Sequence, residues 1–474
     1  MPTFYSEELA EWSGGIWEPA RPDSVLGASN DTRTLERGNL YFALKGKNFD
    51  GHNFVEEAFN KGASGAVVDR SQESRRCQGY GGQAGFRSQN SEWPLLVVDD
   101  TAGALRDIAA GYREKVNPEI IAITGSAGKS TVREMTAEML STVGKTARTK
   151  NNWNNDIGVP LSLLAMEENT SFGVFEAGTN HPGEITPLCD ILKPSLGVVT
   201  NVGPAHIGFF GSIDAIANEK ACLLRSLPAN GVSVLCVDDN FFDLFQSVSP
   251  SCVITVSAVG DADYVCSLRN PVDNEAVIRE KSTGDEFTFH LPVPGEHNII
   301  NAMFAAAVAR RYGVEWRNIS TALNNYPPLP MRWGEEKIGG VLLINDAYNA
   351  NPLSMRASIN AFKEMHIDGR KWLVLGDMLE LGSYEKEEHV AIGEFVASNQ
   401  WAGLIVQGSL GKLIAQSAEN AGFNSDSIFY CENHDEIAEI LTENATDEDA
   451  VLLKASRGIG LEKVVEILKE RRKG

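Results

Sequence analysis

A short apolar run leads into two glycines, and the second glycine is followed by a lysine and two hydroxyl residues. The segment reads Ile121-Ala-Ile-Thr-Gly-Ser-Ala-Gly-Lys-Ser-Thr131, and a helical pattern follows it. A strand, a tight loop and a helix start in this order present backbone N–H groups and the positive end of the helix dipole to an anion. We therefore predict a nucleotide phosphate site in this loop. Its predicted residues are Gly125, Ser126, Ala127, Gly128, Lys129, Ser130 and Thr131.

The chemistry of this loop depends on the residues after the second glycine. Lys129 adds a positive charge for phosphate, and the hydroxyl of Ser130 or Thr131 can hold a Mg²⁺ ion that bridges phosphate oxygens. The usual phosphate loop has a glycine where Ile123 stands, so this loop is the shorter Gly-x-x-Gly-Lys-Ser form. The glycines alone are compatible with a purely structural turn. The Lys-Ser-Thr that follows them favours phosphate binding.

Two further polar residues follow predicted strands. Glu176 ends the apolar run 172–176, and His206 comes shortly after the run 196–200. In open parallel sheets ligands bind beyond the carboxyl ends of the strands, and a carboxylate and an imidazole facing a phosphate loop can hold a divalent cation. We therefore predict Ser130, Glu176 and His206 as Mg²⁺ ligands. The alternative is that Glu176 caps a helix and His206 bonds the backbone.

Three more polar residues fall on predicted helices. Lys220 lies in a helical pattern, and such a lysine taken alone is expected to be a solvated surface residue. Asn298 and Asn301 open an alanine-rich helix and are three residues apart, so they share a helix face that suits hydrogen bonds to a base edge. Helix capping by Asn298 is the alternative.

In the last third of the chain, charged residues again follow breaks or strands. Asp346 suits a hydrogen bond to a ribose hydroxyl, whereas Arg332 and Lys454 suit phosphate or carboxylate charge. Each of these signals is weak by itself. Their repeated position after strands favours a binding role.

Composition shifts and proline breaks divide the chain into three predicted domains, residues 1–116, 117–326 and 327–474. In the second and third of these, buried-type strands alternate with helical patterns, which predicts an α/β fold of parallel sheets covered by helices. The proline-rich stretch 327–330 separates them, because proline fixes φ and cannot continue a strand ladder. Residues 71–93, rich in Ser, Gln, Gly and Arg, are predicted to form an exposed loop.

Composition excludes several classes of function. The 42 basic and 64 acidic residues give a net charge of −22, which argues against nonspecific binding to nucleic acid or to an anionic membrane. The seven cysteines contain no Cys-x-x-Cys pair and resemble reduced thiols. The N-terminus lacks a signal-peptide pattern, and no run reaches the ~18 apolar residues needed to span a bilayer. We expect a cytoplasmic protein without membrane insertion.

Taken together, the motifs resemble the Mur ligases, the ATP-dependent amide-forming family that builds the peptide of bacterial cell-wall precursors. The resemblance covers all three predicted domains. The motifs that carry it are Asp31-Thr-Arg33 and Asp50-Gly-His52, the loop 125–131, Asn151-Asn152 with Asn155-Asp156, Glu176-Ala-Gly-Thr-Asn-His-Pro-Gly-Glu184, Asn201-Val-Gly-Pro-Ala-His206, Lys220, His297-Asn298, the run 346–355 and Gly376-Asp-Met-Leu-Glu-Leu-Gly382. Thr32 stands where Ser is usual in the family.

The resemblance implies an N-terminal UDP-sugar domain, a central ATP-binding ligase domain and a smaller, Rossmann-like C-terminal ligase domain. It implies catalytic roles for Lys129, Glu176, His206 and Lys220, and in several relatives the lysine at the position of Lys220 is carbamylated. The residues implied for ATP are those of the loop together with Asn298, Asn301, Arg332 and Asp346. The residues implied for the other substrates are Thr32, Arg33, Asn155, Thr179, Asn180, His181, Tyr348, Asn349, Asn351 and Lys454.

The run 346–355 and the segment 376–382 most resemble the family member that joins D-alanyl-D-alanine to UDP-N-acetylmuramoyl-tripeptide. ATP would phosphorylate the terminal carboxylate of the tripeptide, and the amine of the dipeptide would attack the resulting acyl phosphate. ATP, Mg²⁺ and the two peptide substrates are the expected ligands, and we expect a monomer.

Two alternatives remain open at this stage. A sibling ligase that adds the third amino acid, or a folate polyglutamate ligase, would share the nucleotide site. A regulatory nucleotide-switch ATPase would explain the phosphate loop, but it would leave the uridine-type first domain and the run 346–355 without a role.

Overall fold

The computed structural model describes residues 1–46, 49–70, 93–249, 252–270 and 274–471. Its strands form one two-stranded sheet and three larger sheets of five, nine and six strands. The larger sheets follow one another along the chain, and each belongs to one of three regions, here called the first, central and third regions. The segment 71–93 that we predicted to be an exposed loop lies outside the described residues, apart from Trp93.

The first region combines its five-stranded sheet, of order β2-β7-β6-β5-β4, with a small antiparallel pair, β1 and β3. Its strands are β1 (Thr3–Tyr5), β2 (Ile16–Glu18), β3 (Ser24–Leu26), β4 (Ala28–Ser29), β5 (Leu40–Phe42), β6 (Gly65–Asp69) and β7 (Leu95–Val98). Its helices are α1 (Ser6–Ser13), a 3₁₀ turn (Gly51–Phe54), α2 (Val55–Asn60) and α3 (Thr101–Val116). Asp100 caps α3 by accepting hydrogen bonds from the N–H groups of Ala102 and Gly103.

The central region carries a nine-stranded sheet of order β16-β15-β14-β13-β12-β11-β8-β10-β9. Its strands are β8 (Glu119–Thr124), β9 (Thr146–Arg148), β10 (Phe172–Glu176), β11 (Leu196–Val199), β12 (Val232–Cys236), β13 (Cys252–Ser257), β14 (Tyr264–Asn270), β15 (Glu275–Glu280) and β16 (Glu286–His290). Its helices are α4 (Lys129–Leu140), α5 (Gly158–Leu163), α6 (Ile185–Leu192), α7 (Ile207–Phe210), α8 (Ile213–Arg225), α9 (Phe242–Val248), α10 (Glu296–Arg311) and α11 (Trp316–Asn324).

The strands β8 to β14 of this sheet are parallel, and β15 and β16 continue it antiparallel. The parallel part was predicted, because runs such as Ile121 to Ile123 are apolar at every position and both residues are fully buried. The prediction of parallel strands alone for this region is wrong at its edge. There, short turns such as the one at Gly284 join neighbouring strands directly and leave no room for a crossover helix.

The third region has a six-stranded sheet of order β17-β18-β22-β19-β20-β21, parallel except for β17. Its strands are β17 (Gly334–Ile338), β18 (Val341–Asn345), β19 (Lys371–Gly376), β20 (Gly403–Gln407), β21 (Ile428–Cys431) and β22 (Ala450–Lys454). Its helices are α12 (Pro352–Glu364), α13 (Glu385–Ala397), α14 (Gly411–Asn420), α15 (His434–Asn444) and α16 (Glu462–Arg471), with 3₁₀ turns at Gly382–Tyr384, Ser425–Ser427 and Arg457–Ile459.

Helices join the three regions to one another. In one core, Leu105 and Ile108 of α3 are buried together with Val159 of α5 and Leu188 of α6. In another, α10 of the central region packs on α12 of the third region. The α/β fold with parallel-dominated sheets is confirmed, and the domain boundaries at residues 116 and 326 stay a prediction. None of the helices in the described ranges has the length and apolar character needed to cross a membrane.

Candidate active site

The glycine-rich loop lies between β8 and α4, as predicted, and both of its glycines have positive φ. Gly125 has φ 151° and Gly128 has φ 83°, a backbone conformation that residues with a Cβ rarely adopt. A Cβ on Gly125 would lie 1.8 Å from Oγ1 of Thr200, and one on Gly128 would lie 2.4 Å from Oδ1 of Asn301. Glycine is therefore required at both positions for two reasons: the backbone conformation and the lack of space for a Cβ.

The segment after β11 holds the loop in place. The N–H of Ser126 donates to the carbonyl of Asn201 (3.0 Å), and the N–H of Ala127 donates to the side-chain oxygen of the same asparagine (2.9 Å). The Thr200 hydroxyl donates to the carbonyl of Ala127 (2.6 Å). The Ser126 hydroxyl donates to the carbonyl of Gly203 (2.9 Å). These bonds fix the loop without using the N–H groups at the start of α4.

Lys129 folds back over the loop. Its Nζ donates to the carbonyl oxygen of Gly125 (2.6 Å), and burial lowers the pKa of the ammonium, with Glu176 opposing this shift and Arg332 adding to it. Helix α4 begins at the same residue, and no side chain caps it. An uncapped helix start beside a half-buried lysine is a site for an anion.

Glu176 is almost fully buried, with 1% of its surface exposed. Its Oε1 accepts a hydrogen bond from Nη1 of Arg133 (2.7 Å), and its Oε2 accepts one from the amide of Asn154 (3.1 Å). The alternative that Glu176 caps a helix is wrong, because its partners are these two side chains. A carboxylate accepts up to about four hydrogen bonds, so both oxygens keep a lone pair for a cation.

His206 meets a carboxylate from the third region. Its Nδ1 lies 2.6 Å from Oε2 of Glu380. The alternative of a backbone bond from its side chain is therefore wrong. Burial lowers the pKa of His206, and the neighbouring Glu380 opposes this shift. A neutral imidazole is the form that binds metal ions.

Lys220 lies on α8 and is 3% exposed, so the residue-based prediction of a solvated surface lysine is wrong. Burial, reinforced by the charge of Lys129, lowers its pKa well below the usual value for lysine. Within the described residues, no hydrogen bond or ion pair reaches its ammonium. The neighbouring Glu219 points elsewhere, since its carboxylate accepts the N–H groups of Gly183 and Ile185 at the start of α6.

The third region reaches the glycine-rich loop directly. Nη2 of Arg332 donates to the hydroxyl of Ser130 (3.1 Å), and the guanidinium of Arg332 stacks on the ring of Tyr348 at 4.1 Å. The amide of Asn351 lies 3.4 Å from the carbonyl of Ser126. The same asparagine caps α12 in a capping box with Ser354. Arg332 and Asn351, two third-region residues that we predicted to bind ligands, thus lie at the glycine-rich loop.

Asp346 and Lys454 form a buried pair at the carboxyl ends of β18 and β22. Nζ of Lys454 lies 2.6 Å from Oδ2 of Asp346, which also accepts the hydroxyl of Ser358 (2.5 Å). The predicted hydrogen bond between Asp346 and a ribose hydroxyl would use the lone pairs of the carboxylate that these two partners leave free. His297 lies near this pair, and burial lowers its pKa from 6.5 to about 4.

Asn298 and Asn301 lie on one face of α10, as predicted. The amide of Asn301 lies 3.4 Å from the side-chain oxygen of Asn298, whose own amide donates to the carbonyl of Pro294 (2.8 Å). The alternative that Asn298 caps the helix is wrong, because the cap position is Gly295. Asn301 abuts Gly128, so this face lies against the glycine-rich loop.

The predicted uridine residues lie in the first region. The Thr32 hydroxyl donates to Oε1 of Glu57 (3.0 Å), and Arg33 forms a two-pronged ion pair with Asp31. That hydrogen bond from Arg33 holds the pKa of Asp31 below its usual value. The Arg33 side chain is 85% exposed, which leaves it accessible to a ligand.

The remaining predicted substrate residues lie on loops. The side-chain oxygen of Asn155 accepts the N–H of Gly158 (2.8 Å) at the start of α5. The Thr179 hydroxyl donates to the carbonyl of His181 (2.7 Å), and the backbone N–H of Asn180 donates to Glu184 (2.7 Å). The carbonyl of Asn349 lies 3.4 Å from Nζ of Lys454, so this asparagine adjoins the buried pair.

Sequence reasoning missed four residues that position the site, namely Arg133, Asn154, Glu219 and Glu380. Arg133 lies four residues, about one helical turn, beyond Lys129, and that spacing is the signal in the sequence for it. Glu380 lies in a motif that carried the family resemblance, but its partner is 174 residues away. Among the described residues, no three His, Cys, Asp or Glu side chains form a cluster that could hold a metal by themselves.

Three family models match successive parts of the chain. They are the Mur ligase family catalytic domain at residues 26–113, the Mur ligase middle domain at residues 123–309 and the Mur ligase glutamate ligase domain at residues 331–457. The chain is 34% identical to the UDP-N-acetylmuramoyl-tripeptide–D-alanyl-D-alanine ligase of Bacillus subtilis over 459 residues, 96% of each protein.

Two solved structures show the same architecture. A crystal structure of MurF from Acinetobacter baumannii has a TM-score of 0.85 at 28% identity and covers 99% of both chains. MurF from Thermotoga maritima in complex with ADP has a TM-score of 0.78 at 26% identity and covers 94% of this chain and 98% of its own. The predicted family is confirmed, and the chain belongs to the Mur ligases.

Proposed function

We propose that this chain joins D-alanyl-D-alanine to UDP-N-acetylmuramoyl-tripeptide at the expense of ATP, through an acyl phosphate. The observation that carries this proposal is the likeness over 96% of both proteins to a ligase of that name. The run 346–355, which resembles the dipeptide-adding member, supports it, because Asn351 of this run contacts the carbonyl of Ser126 in the glycine-rich loop. Phosphate transfer and acceptor binding would then share one site.

The glycine-rich loop is the proposed site of the ATP phosphates. The ammonium of the half-buried Lys129 and the uncapped start of α4 fit an anion, and Arg332 adds a second positive charge at Ser130. Asn298 and Asn301 lie on the α10 face against the loop, where they can accept and donate hydrogen bonds to adenine. ADP in the Thermotoga maritima MurF structure is consistent with this assignment.

Mg²⁺ would be held by Ser130, Glu176 and His206. The donor set fits the ion, since a hydroxyl, a carboxylate with free lone pairs and a neutral imidazole are all available as ligands. When bound, the ion would neutralise charge that develops on the phosphoryl oxygens. The residues of this chain supply the positioning: the loop holds the phosphates, and the third region brings Arg332 to them.

Lys220 is proposed to carry a carbamate. A carbamate forms when a neutral amine attacks CO₂ and releases a proton, and burial together with the charge of Lys129 favours the neutral form of Lys220. The product is an anion, which would offset the positive charge of Lys129 and leave oxygen atoms for a cation. A buried, unpaired lysine beside a second lysine is otherwise costly.

The substrates are assigned to the three regions as follows. Thr32 and Arg33 of the first region would bind the uridine nucleotide, and the loop that contains Thr179, Asn180 and His181 would bind the peptide of the donor. Residues of the third region, including Tyr348, Asn349 and Lys454, would bind the dipeptide or its carboxylate. The cytoplasmic location and the monomeric state stay predictions.

The test is phosphate release and product mass with each donor and acceptor pair at saturating ATP. UDP-N-acetylmuramoyl-tripeptide with D-alanyl-D-alanine should turn over faster by orders of magnitude than the same donor with single D-alanine, because a missing amide leaves buried polar groups unpaired. Faster turnover of UDP-N-acetylmuramoyl-dipeptide with lysine or diaminopimelate would assign the chain to the sibling ligase. ATP hydrolysis that is independent of both added substrates would favour the nucleotide-switch ATPase.

A further inference from the structure

The imidazole of His206 is held from across the boundary between two regions. Its Nδ1 contacts Oε2 of Glu380 at 2.6 Å, and Glu380 belongs to the third region. The His206 side chain is 23% exposed and the Glu380 side chain 46% exposed, so the contact lies at the edge of the site rather than in a core. The fold therefore does not need this pair to fill its interior.

Both partners adopt a rare backbone conformation. His206 has φ 57° and Glu380 has φ 67°, in the left-handed region that costs free energy for any residue with a Cβ. Such conformations persist where the surroundings enforce them, and they cluster at functional sites. Two residues in this conformation meet in one side-chain contact, between His206 and Glu380.

The backbones beside this pair are packed without space for a side chain. The N–H of Gly208 in α7 donates to the carbonyl of Glu380 (3.1 Å). A Cβ on Gly382 would lie 2.6 Å from Cα of Gly208. Because only glycine fits on either side, α7 docks backbone against backbone on the segment that runs from Glu380 to Gly382. This docking sets the position of the Glu380 carboxylate relative to His206.

A histidine that binds a metal ion commonly donates its second ring N–H to a carboxylate, which fixes the ring orientation and the tautomer. In the tautomer with its proton on Nδ1, the ring donates to Glu380 and Nε2 keeps the lone pair that a cation needs. We propose that Glu380 is a positioning residue for the Mg²⁺ ligand His206, so that docking of the third region completes the metal site. This inference rests on the proposed function, in which His206 binds Mg²⁺.

The contact of His206 with Glu380 links metal binding to the docking of the third region. If docking of the third region orients His206, then binding of the metal stabilises the docked state by the same factor, because coupling between two sites is reciprocal. Arg332 reaches the loop from the same third region, so phosphate binding and metal binding would favour one arrangement.

The test measures binding of Mn²⁺, a spectroscopic probe for Mg²⁺, by electron paramagnetic resonance with ADP present. Glu380→Ala should weaken Mn²⁺ binding about 10- to 100-fold and raise the Mg²⁺ concentration for half-maximal ligation similarly. Glu380→Gln keeps an oxygen acceptor and should lose less. Both variants keep a Cβ at position 380, so the free-energy cost of the positive φ is the same in them as in the wild-type protein. Glu387→Gln removes an exposed charge from α13 and should behave as wild type.

Two further variants separate positioning from a general structural role. Gly382→Ala leaves both side chains of the pair in place but obstructs the docking, so it should weaken Mn²⁺ binding in the same direction. Adding Glu380→Ala to His206→Ala should cause no further loss, because both changes remove one interaction. The KM for the UDP-linked donor should not move in Glu380→Ala, since its nucleotide is assigned to the first region.

Wild-type Mn²⁺ affinity in Glu380→Ala, or an additional loss in the double variant, would overturn the proposal for Glu380. Those results together with normal ligation would leave the proposed function standing. If the wild-type protein does not ligate D-alanyl-D-alanine but Glu380→Ala still weakens Mn²⁺ binding, that result supports the positioning role and overturns the proposed function. If Glu380→Ala does not fold, Glu380→Gln and Gly382→Ala carry the same measurement.

Discussion

Arg133 and Glu176 form a buried ion pair, with Nη1 of the arginine 2.7 Å from Oε1 of the glutamate and both side chains at most 3% exposed. The same guanidinium donates to the carbonyl of Asn151 (2.6 Å). It therefore ties α4, the end of β10 and the loop that follows β9 to one another. The carboxylate proposed for the metal site is thus oriented by a residue one helical turn beyond Lys129.

Arg133→Met should destabilise the protein by about 3–5 kcal/mol, because it removes the ion-pair partner that is hydrogen-bonded to the buried carboxylate of Glu176. Denaturant unfolding, followed through the unfolding transition of the central region, measures this change in the free energy of unfolding. Arg148→Met is the matched control: Arg148 pairs with Glu134 and Glu138 at a half-exposed position, where such pairs contribute about 0–1 kcal/mol. Equal losses in the two variants would contradict the special role of Arg133.

Lys129→Ala should abolish ligation while the protein stays folded. The lysine contributes charge to a loop whose shape is already set by its glycines and by Asn201, and charge stabilisation at such sites is worth roughly 3–4 kcal/mol in the transition state. Turnover of the purified variant at saturating ATP is the measurement, with circular dichroism to confirm folding. Lys386→Ala, at an exposed position of α13, is the control. Turnover near the wild-type rate would refute the phosphate-site assignment.

Lys220→Ala should be inactive, and a short carboxylic acid should restore part of its activity by replacing the carbamate oxygens. Wild-type protein incubated with ¹³C-labelled bicarbonate should show a carbamate carbon resonance that Lys220→Ala lacks. The buried, neutral amine is the physical reason to expect this modification. Full activity of Lys220→Ala, or an unchanged carbamate signal in it, would exclude the carbamate at this position.

His297 should make stability depend on pH between about 4 and 6.5. Burial lowers its folded pKa from 6.5 to about 4, so in this window the unfolded chain binds a proton that the folded protein does not. The free energy of unfolding therefore falls as the pH is lowered, by at most about 1.4 kcal/mol per pH unit from this group. His297→Gln should show a shallower slope than wild type over the same range. Parallel stability curves for the two proteins would show that His297 does not titrate there.

Local patterns were sufficient for the elements that flank the glycine-rich loop and for the loop itself. The strand β8, the helix α4 and the two glycines between them follow from apolar runs, spacing and backbone preference, which are properties of neighbouring residues. The same holds for β10 and β11, whose ends carry Glu176 and lead to His206. The position of Glu176 at the end of β10, and that of His206 shortly after β11, could therefore be predicted from sequence.

Burial and pairing between distant residues could not be identified in that way. Lys220 has the sequence context of a surface lysine, and only the packing of α8 against the central sheet makes it a buried amine with a lowered pKa. Arg133 acquires its role when α4 lies beside the end of β10, 43 residues further along the chain.

The contacts between regions depend on tertiary structure most of all. The sequence alone determined the family and the glycine-rich loop, because each of these depends on short motifs with fixed spacing, whereas phosphate binding by the loop and the metal ligands stay predictions. The contact of His206 with Glu380 and that of Ser130 with Arg332 join residues 174 and 202 positions apart. Such contacts exist only after the separate sheets have docked. The free energy that forms them comes from packing between surfaces of different regions, and local sequence patterns do not specify that packing.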